Sequence, residues 1–212
     1  MTAGNGPVLE GVDLACVRRD RPLFEGFSFR LTAGGLLQIE GPNGSGKTSL
    51  LRILALLALP DEGEVRWNGA EAGAHRPDYL AEMAYLGHAH GVKAELTALE
   101  NLRVAQALSG GGGDAEAALD RLGMAAYADT PARAMSAGQT RRVALARLLL
   151  SPARLWILDE PFTALDWRGK ETMEALLQEH CDAGGMIVVT THQELAIADH
   201  AVTRIHLAPG RG

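Results

Sequence analysis

Positive charge is in short supply in this 212-residue chain. Lysine occurs only as Lys47, Lys93 and Lys170, and the net charge is -6, with a pI near 5.6. A protein that binds a phosphate backbone needs a basic face, so the charge balance argues against nucleic acid as the main partner. Cysteine is equally scarce. Cys16 and Cys181 lie far apart and fit no metal or redox spacing; both are expected to be reduced, in a cytosolic protein. No Cys-x-x-Cys-His haem-attachment site occurs. Long apolar runs are missing too. A membrane span needs roughly 18 apolar residues, and the best candidate, Ile53 to Leu59, is much shorter and follows Arg52. Residues Met1 to Pro7 lack a basic region followed by an apolar core, so no signal peptide is expected. No internal repeat is visible.

What the chain has is enough apolar content, 47%, for one sizeable core, hence one domain with room for a subdomain. Its most informative stretch is Gly41-Pro42-Asn43-Gly44-Ser45-Gly46-Lys47-Thr48, which fits the phosphate-binding loop G-x-x-x-x-G-K-[ST]. The apolar run Leu36 to Ile39 reads as a strand entering it, and Ser49 to Leu54 as a helix leaving it. Glycines let the backbone turn its N–H groups around phosphates, and the helix N-terminus adds a positive dipole end. Lys47 can reach the β- and γ-phosphates, and the Thr48 hydroxyl can ligate Mg²⁺. The competing reading is a glycine-rich turn that binds nothing.

Val8 to Val17 and Leu23 to Leu31 read as strands joined by a turn at 18–22. A short strand at Glu64 to Gly69 and a loose stretch to Asp78 precede a strand around Ala84 to Gly87. Thr97-Ala98-Leu99-Glu100 is a capping box, opening a helix to about Leu108. Gly110 to Gly113 breaks it, and Asp114 to Leu122 forms a second helix. Ser136 to Gln139 can cap a third, running to about Leu150. Strand Leu155 to Leu158, helix Gly169 to Cys181, strand Met186 to Thr190, helix Gln193 to Ala198 and strand Val202 to Leu207 close the chain. Strands alternating with helices predict a mainly parallel α/β sheet. Within the single expected domain 1–212, a helical block over about 97–150 interrupts the sheet-forming stretches at about 8–96 and 152–207.

Two further patterns carry chemistry. Leu155 to Leu158 runs into Asp159-Glu160-Pro161. Beside a phosphate loop, an Asp at a strand tip can hold Mg²⁺, and the adjacent Glu160 is placed to polarise an attacking water. Two carboxylates at a strand end are otherwise a solvated turn. Met135-Ser136-Ala137-Gly138-Gln139 opens a helix, and small residues at a helix N-terminus make a second anion site, although taken alone the segment is only a good cap.

The ordered set resembles the ATP-binding-cassette (ABC) ATPases. Gly41 to Thr48 matches their Walker A, Met135 to Gln139 their signature, Leu155 to Glu160 their Walker B, Ala164-Leu165-Asp166 their D-loop, and Thr191-His192 their switch histidine. The resemblance implies a P-loop NTPase fold with a mainly parallel core sheet, an antiparallel β subdomain and a helical subdomain. It also implies ATP and Mg²⁺ as cofactors. ATP would contact Gly41 to Thr48, Ser49 and Arg18. Glu160, His192 and Lys47 would be catalytic, and Mg²⁺ would be held by Thr48, Asp159 and His88. Ser136, Ala137, Gly138 and Gln139 would cap ATP bound to a second copy in a head-to-tail pair, and His88 and Asp166 would lie in coupling loops. There are departures. His88 stands where the family has Gln, Ala137 replaces a signature Gly, and Arg18 stands where an aromatic stacks on adenine. An imidazole can play a polar role like that of Gln, and a guanidinium plane can stack on a base. A plain pair of surface histidines at His88 and His90, or a solvated turn residue at Arg18, competes with these readings.

Gly87-His88, Gly91-Val92-Lys93 and Leu96 to Leu102, together with Ser136 to Leu148 and Leu155 to Asp166, narrow the resemblance to one subfamily, the ATP-binding subunits of cytochrome c maturation haem exporters. That implies membrane-spanning subunits of a cytochrome c maturation complex as partners and an indirect link to a periplasmic haem chaperone. The place would be peripheral, on the cytoplasmic face of the bacterial inner membrane. His75, His180, His200 and His206 are scattered and read as structural or exposed. The alternatives are the ATPase subunit of a transporter for another substrate, a soluble ABC ATPase working on DNA or ribosomes, and a phosphate-loop kinase. One cassette and an acidic balance argue against the second. The signature, the Asp159-Glu160 pair and His192 argue against the third.

Overall fold

The strands that carry the site are buried on both faces, and that dictates where they sit. In the computed structural model, which describes residues 6–195, 197–198 and 202–207, strands β3 (Leu36–Glu40), β7 (Leu155–Asp159) and β8 (Met186–Thr190) are almost wholly buried. A strand covered on both faces belongs in the middle of a parallel sheet. Together with β6 (Met83–Leu86) and β9 (Val202–His206) they form a five-stranded sheet in the order β6-β7-β8-β3-β9, parallel throughout.

Alternation along these strands divides the interior in two. Leu36, Trp156, Leu158, Ile187 and Val189 face a core shared with the helical segment. Leu37, Ile39, Leu155, Ile157, Met186 and Val188 face the other, completed by α1 (Lys47–Leu54) and an antiparallel sheet. That second sheet has the order β2-β1-β4-β5, built from β1 (Val8–Arg18), β2 (Arg21–Thr32), β4 (Glu62–Trp67) and β5 (Ala70–Glu71). β1 and β2 pair antiparallel around Arg19 and Asp20, with φ of 51° and 59°, the positive values that tight hairpin turns require.

The helical segment holds α3 (Ala98–Ser109), α4 (Ala115–Arg121) and α5 (Ala137–Leu149). Thr97 and Ser136 each form a full capping box, with Glu100 and Gln139 respectively, as the sequence predicts. Between β7 and β8 runs α6 (Trp167–Asp182). Two expectations fail. The stretch before Asp78 is not wholly loose: α2 (Arg76–Ala81) forms there, with a Pro in its first turn. A Pro costs nothing at that position, and the buried Tyr79 donates to the Leu54 carbonyl at 2.7 Å, anchoring it. Conversely, no helix forms over Gln193–Ala198 among the described residues; residue 196 lies outside them. Gln38 Nε2 donates to the Gln193 carbonyl at 2.8 Å, and the Ala198 N–H donates to Gln178 Oε1 at 2.7 Å. Side chains of β3 and α6 take the main-chain groups a helix would use. Residues 1–5, within the stretch read for a signal peptide, and His200 lie outside the described residues.

His180 is structural. Its ring stacks on Trp156, with centroids 3.9 Å apart, and its Nε2 donates to the Arg154 carbonyl at 3.1 Å. Burial holds its pKa below the usual 6.5, so the folded state binds the proton less readily than the unfolded chain. Stability from this group is therefore complete above about pH 6.5 and falls as the pH drops below it. Urea titrations at pH 7 and pH 5 should show a smaller pH-dependent loss for His180→Phe than for the native chain; an equal loss would assign the pH response to other groups.

Candidate functional site

The carboxyl ends of β3, β7 and β8 gather the phosphate loop and the two acidic residues. This is where open α/β sheets place ligands. The loop leaves β3 and enters α1 through Gly46, whose φ is 98°, a value that favours glycine. Gly46 brings no side-chain cap to the helix, so the first N–H groups of α1 stay available to an anion. Gly41 is needed for space: a Cβ there would lie 2.5 Å from the Leu207 carbonyl oxygen and 2.7 Å from Ser45 Oγ. Ser45 Oγ is buried without a hydrogen-bond partner, an orphan polar atom inside the loop that an anion would satisfy. Lys47 is buried, and its Nζ donates to the carbonyls of Gly41 at 2.7 Å and Pro42 at 3.2 Å.

Asp159 meets this loop directly, and Glu160 lines the same cavity as the loop residues. Thr48 Oγ1 donates to Asp159 Oδ2 at 2.9 Å, and Thr190 Oγ1 donates to Asp159 Oδ1 at 2.8 Å. Parallel pairing sets Asp159 beside Thr190, so the sheet register itself aims this carboxylate. Glu160 follows with φ of 48°, and its N–H donates to Thr190 Oγ1 at 2.9 Å. His192 Nε2 stands 3.6 Å from Glu160 Oε1. A cavity of about 290 Å³ is lined by Leu23, Asn43, Gly44, Gly46, Lys47, Thr48, Ser49, Asp159 and Glu160. A second, of about 580 Å³, runs past Gly41, Pro42, His192 and His206.

Thr48 and Asp159 offer hard oxygen donors of the kind Mg²⁺ takes. Among the described residues no group of three or more His, Cys, Asp or Glu side chains could hold a metal ion. An ion here would therefore lean on substrate phosphates, as in phosphate-loop enzymes. His88 is exposed and Arg18 is exposed; neither lines the 290 Å³ cavity, whereas Leu23 of β2, which sequence reasoning passed over, does.

Ser136, Gly138, Gln139, Arg142, Ala164 and Asp166 are among the residues lining a separate cavity of about 430 Å³. It shares no lining residue with the phosphate-loop cavity, so within one chain the signature and the phosphate loop stay apart. Ser136 and Ala137 are exposed. Asp166 caps α6 through the Gly169 N–H at 2.8 Å and pairs with Arg142 Nη2 at 2.5 Å; the Gly169 N–H, then Arg142, holds its carboxyl below the usual range. Gly138 admits no side chain, because a Cβ would sit 2.7 Å from the Ala164 carbonyl oxygen. Overpacking of this kind costs about 1–3 kcal/mol. Gly138→Ala should lower the free energy of urea unfolding by that amount and displace the 164–166 turn; unchanged stability would show that the turn gives way freely.

Sequence reasoning also missed Arg141. It lies within α5, is 1% exposed, and is among the largest fully buried side chains. Its sequence neighbours, Thr140 and Arg142, are polar and give no sign of that burial.

Comparison with known proteins agrees with this geometry. The family described as ABC transporter matches residues 24–163. The cytochrome c biogenesis ATP-binding export protein CcmA of Nitrosospira multiformis is 52% identical over 204 residues, covering 95% of this chain and 99% of that protein. Its Methylococcus capsulatus counterpart is 54% identical over 187 residues, 87% of this chain and 90% of that protein. Among solved structures, a proposed ABC transporter ATP-binding protein from Pyrococcus furiosus superimposes with a TM-score of 0.80 at 26% identity, over 94% of this chain and 97% of that one. A dimeric ATP-binding cassette in a post-hydrolysis state, bound to ADP and phosphate, gives 0.75 at 25% identity, covering 87% of this chain and 88% of that one. With half its sequence shared with such relatives over nearly their whole length, the chain belongs to the ABC transporter ATP-binding family and, within it, to the cytochrome c biogenesis ATP-binding export proteins.

Proposed function

We propose that this chain is the ATP-binding and ATP-hydrolysing subunit of an ABC transporter complex for c-type cytochrome biogenesis, energising haem transfer or release of a haem-loaded chaperone. The observation that carries the ATPase half is the junction of Thr48, Asp159, Thr190 and Glu160 at the ends of two parallel strands. The cytochrome half rests on relatives about half identical over nearly their whole length.

The roles follow from chemistry. Gly41 to Ser49 cradle the phosphates with main-chain N–H groups and the α1 dipole, and Lys47 adds charge-assisted hydrogen bonds. Thr48 and Asp159 would hold Mg²⁺, which would neutralise charge on the phosphates when bound. Glu160 takes a proton from the attacking water. His192, 3.6 Å away, orients that water or the γ-phosphate. Arg18 stacks on the base from the end of β1, with Leu23 supplying apolar contact.

The site is half of a pair. A phosphate loop and a signature in separate cavities support a head-to-tail dimer in which Ser136, Ala137, Gly138 and Gln139 of one copy close over ATP on the other. Hydrolysis then biases the pair toward opening, a ligand-driven population shift. Asp166, beside the signature, and the exposed His88 loop connect that motion to the partner copy and to membrane-spanning subunits. No helix among the described residues is long and apolar enough to cross a membrane, in keeping with a peripheral subunit on the cytoplasmic face of the inner membrane. Affinity capture of the tagged chain from detergent-solubilised membranes tests this reading. Haem-handling membrane proteins should co-purify in an ATP-sensitive complex. Recovery of membrane subunits of another transporter alone would replace the cytochrome assignment.

A further inference from the structure

Arg141 has more hydrogen bonds than a core residue needs, and they converge on the site. Nη2 donates to the Asp159 carbonyl at 2.9 Å and the Glu160 carbonyl at 2.7 Å, and Nε to the Pro161 carbonyl at 3.3 Å. Nη1 donates to the Gly87 carbonyl at 3.3 Å and lies 3.0 Å from His90 Nδ1. One planar guanidinium thus holds three consecutive peptides at the tip of β7 and both ends of the 87–90 loop. Six residues along α5, Arg147 Nη1 donates to the carbonyls of His90 at 3.2 Å and Gly91 at 2.9 Å, fixing the same loop a second time.

The peptide that needs holding is that of Glu160. Its φ of 48° lies in the left-handed region, where a side chain other than glycine carries strain unless its surroundings enforce it. Three groups enforce it: Thr190 Oγ1 on the N–H side, and on the carbonyl side Arg141 Nη2 at 2.7 Å and the Thr163 N–H at 3.1 Å, of which Arg141 alone also reaches the 87–90 loop. A buried guanidinium is costly, and burial does hold the Arg141 pKa below its ordinary value, opposed by the nearby Asp159 and Glu160 charges. A fork that satisfies several carbonyls at fixed angles is something a lysine ammonium does not reproduce.

We propose that Arg141 is a positioning residue, which fixes the left-handed peptide that aims the Glu160 carboxylate and ties it to the 87–91 loop. The inference rests on Glu160 acting as the general base. A role of this kind acts on turnover and leaves ATP affinity alone.

The test is steady-state ATP hydrolysis by the purified full chain with Arg141→Met and Arg141→Lys, alongside Glu160→Gln. Arg141→Met should lower kcat by about 10- to 100-fold, or about 1.4–2.7 kcal/mol of transition-state stabilisation, with KM for ATP within about threefold. Arg141→Lys should recover part of the loss. Wild-type kcat in folded Arg141→Met overturns the proposal, and so does a rise in KM with kcat unchanged. If Arg141→Met does not fold, Arg141→Lys gives the same reading: lowered kcat at constant KM supports the role, and full kcat overturns it. The parallel variant keeps the two readings apart. Normal turnover by Glu160→Gln removes the general base itself; an inactive Glu160→Gln beside a fully active Arg141→Met removes only the positioning role.

Discussion

Glu160→Gln should bind ATP as the native chain does and turn it over 100- to 10,000-fold more slowly, the range that a positioned general base contributes. The amide keeps the volume of the carboxylate and cannot accept the proton. Nothing else at the tip of β7 needs to change. The main chain of residue 160 is held by Thr190 and Arg141 through its N–H and carbonyl, neither of which the substitution touches. Asp159 keeps its two hydroxyl partners, Thr48 and Thr190. Since ATP closes the pair and hydrolysis reopens it, the variant should accumulate as an ATP-bound dimer. Size-exclusion chromatography with and without ATP reads this directly: the native chain elutes mainly as monomer, and the variant shifts to dimer only with ATP. Native turnover in the variant would remove Glu160 as the base. Loss of turnover without a dimer would separate the base role from the head-to-tail pairing.

The distinction between what the sequence shows and what it hides follows the range of the interactions. The phosphate loop, the capping boxes at Thr97 and Ser136, and the apolar strand ending in Asp159 are local, and each can be read from a few consecutive residues. So can the continuous apolar runs that bury both faces of β7 and β8. Gln193 to Ala198 resembles a short helix only while its neighbours are ignored. Gln38, 155 residues away, and Gln178, 20 residues away, claim its main-chain groups. The reach of Arg141 is hidden for the same reason. It follows the signature segment and reads there as part of a polar helix start, yet its partners lie 54 residues back and 18–20 residues ahead. The left-handed conformation of Glu160 has no local sign at all, since nothing in Asp-Glu-Pro demands it. His88 shows the opposite limit. The family resemblance implies a place beside the metal for it, and the structure leaves it exposed outside the phosphate-loop cavity.

Lys47→Ala should weaken ATP binding by about two orders of magnitude. Charge-assisted hydrogen bonds contribute about 1.5–3 kcal/mol each, so loss of the bonds to the β- and γ-phosphates raises Kd by about 100-fold or more. Lys47 is one of only three lysines, and no other lysine or arginine lines the 290 Å³ cavity, so nothing there can substitute for its charge. The side chain also has a second role, which must be kept apart from the first. Its Nζ is bonded to the Gly41 and Pro42 carbonyls, so truncation loosens the loop even without nucleotide. Thermal denaturation separates the two effects. At 100 times its Kd, ATP stabilises the native chain by about 2.7 kcal/mol. At that same ATP concentration a variant with Kd raised 100-fold retains only about 0.4 kcal/mol. The loosened loop appears as a lower midpoint without ATP, and the lost phosphate contacts appear as a missing ATP-dependent shift. An ATP-dependent shift of native size in Lys47→Ala would mean that the main-chain N–H groups of Gly44 to Thr48 and the α1 dipole bind the phosphates by themselves, with Lys47 serving only to brace the loop.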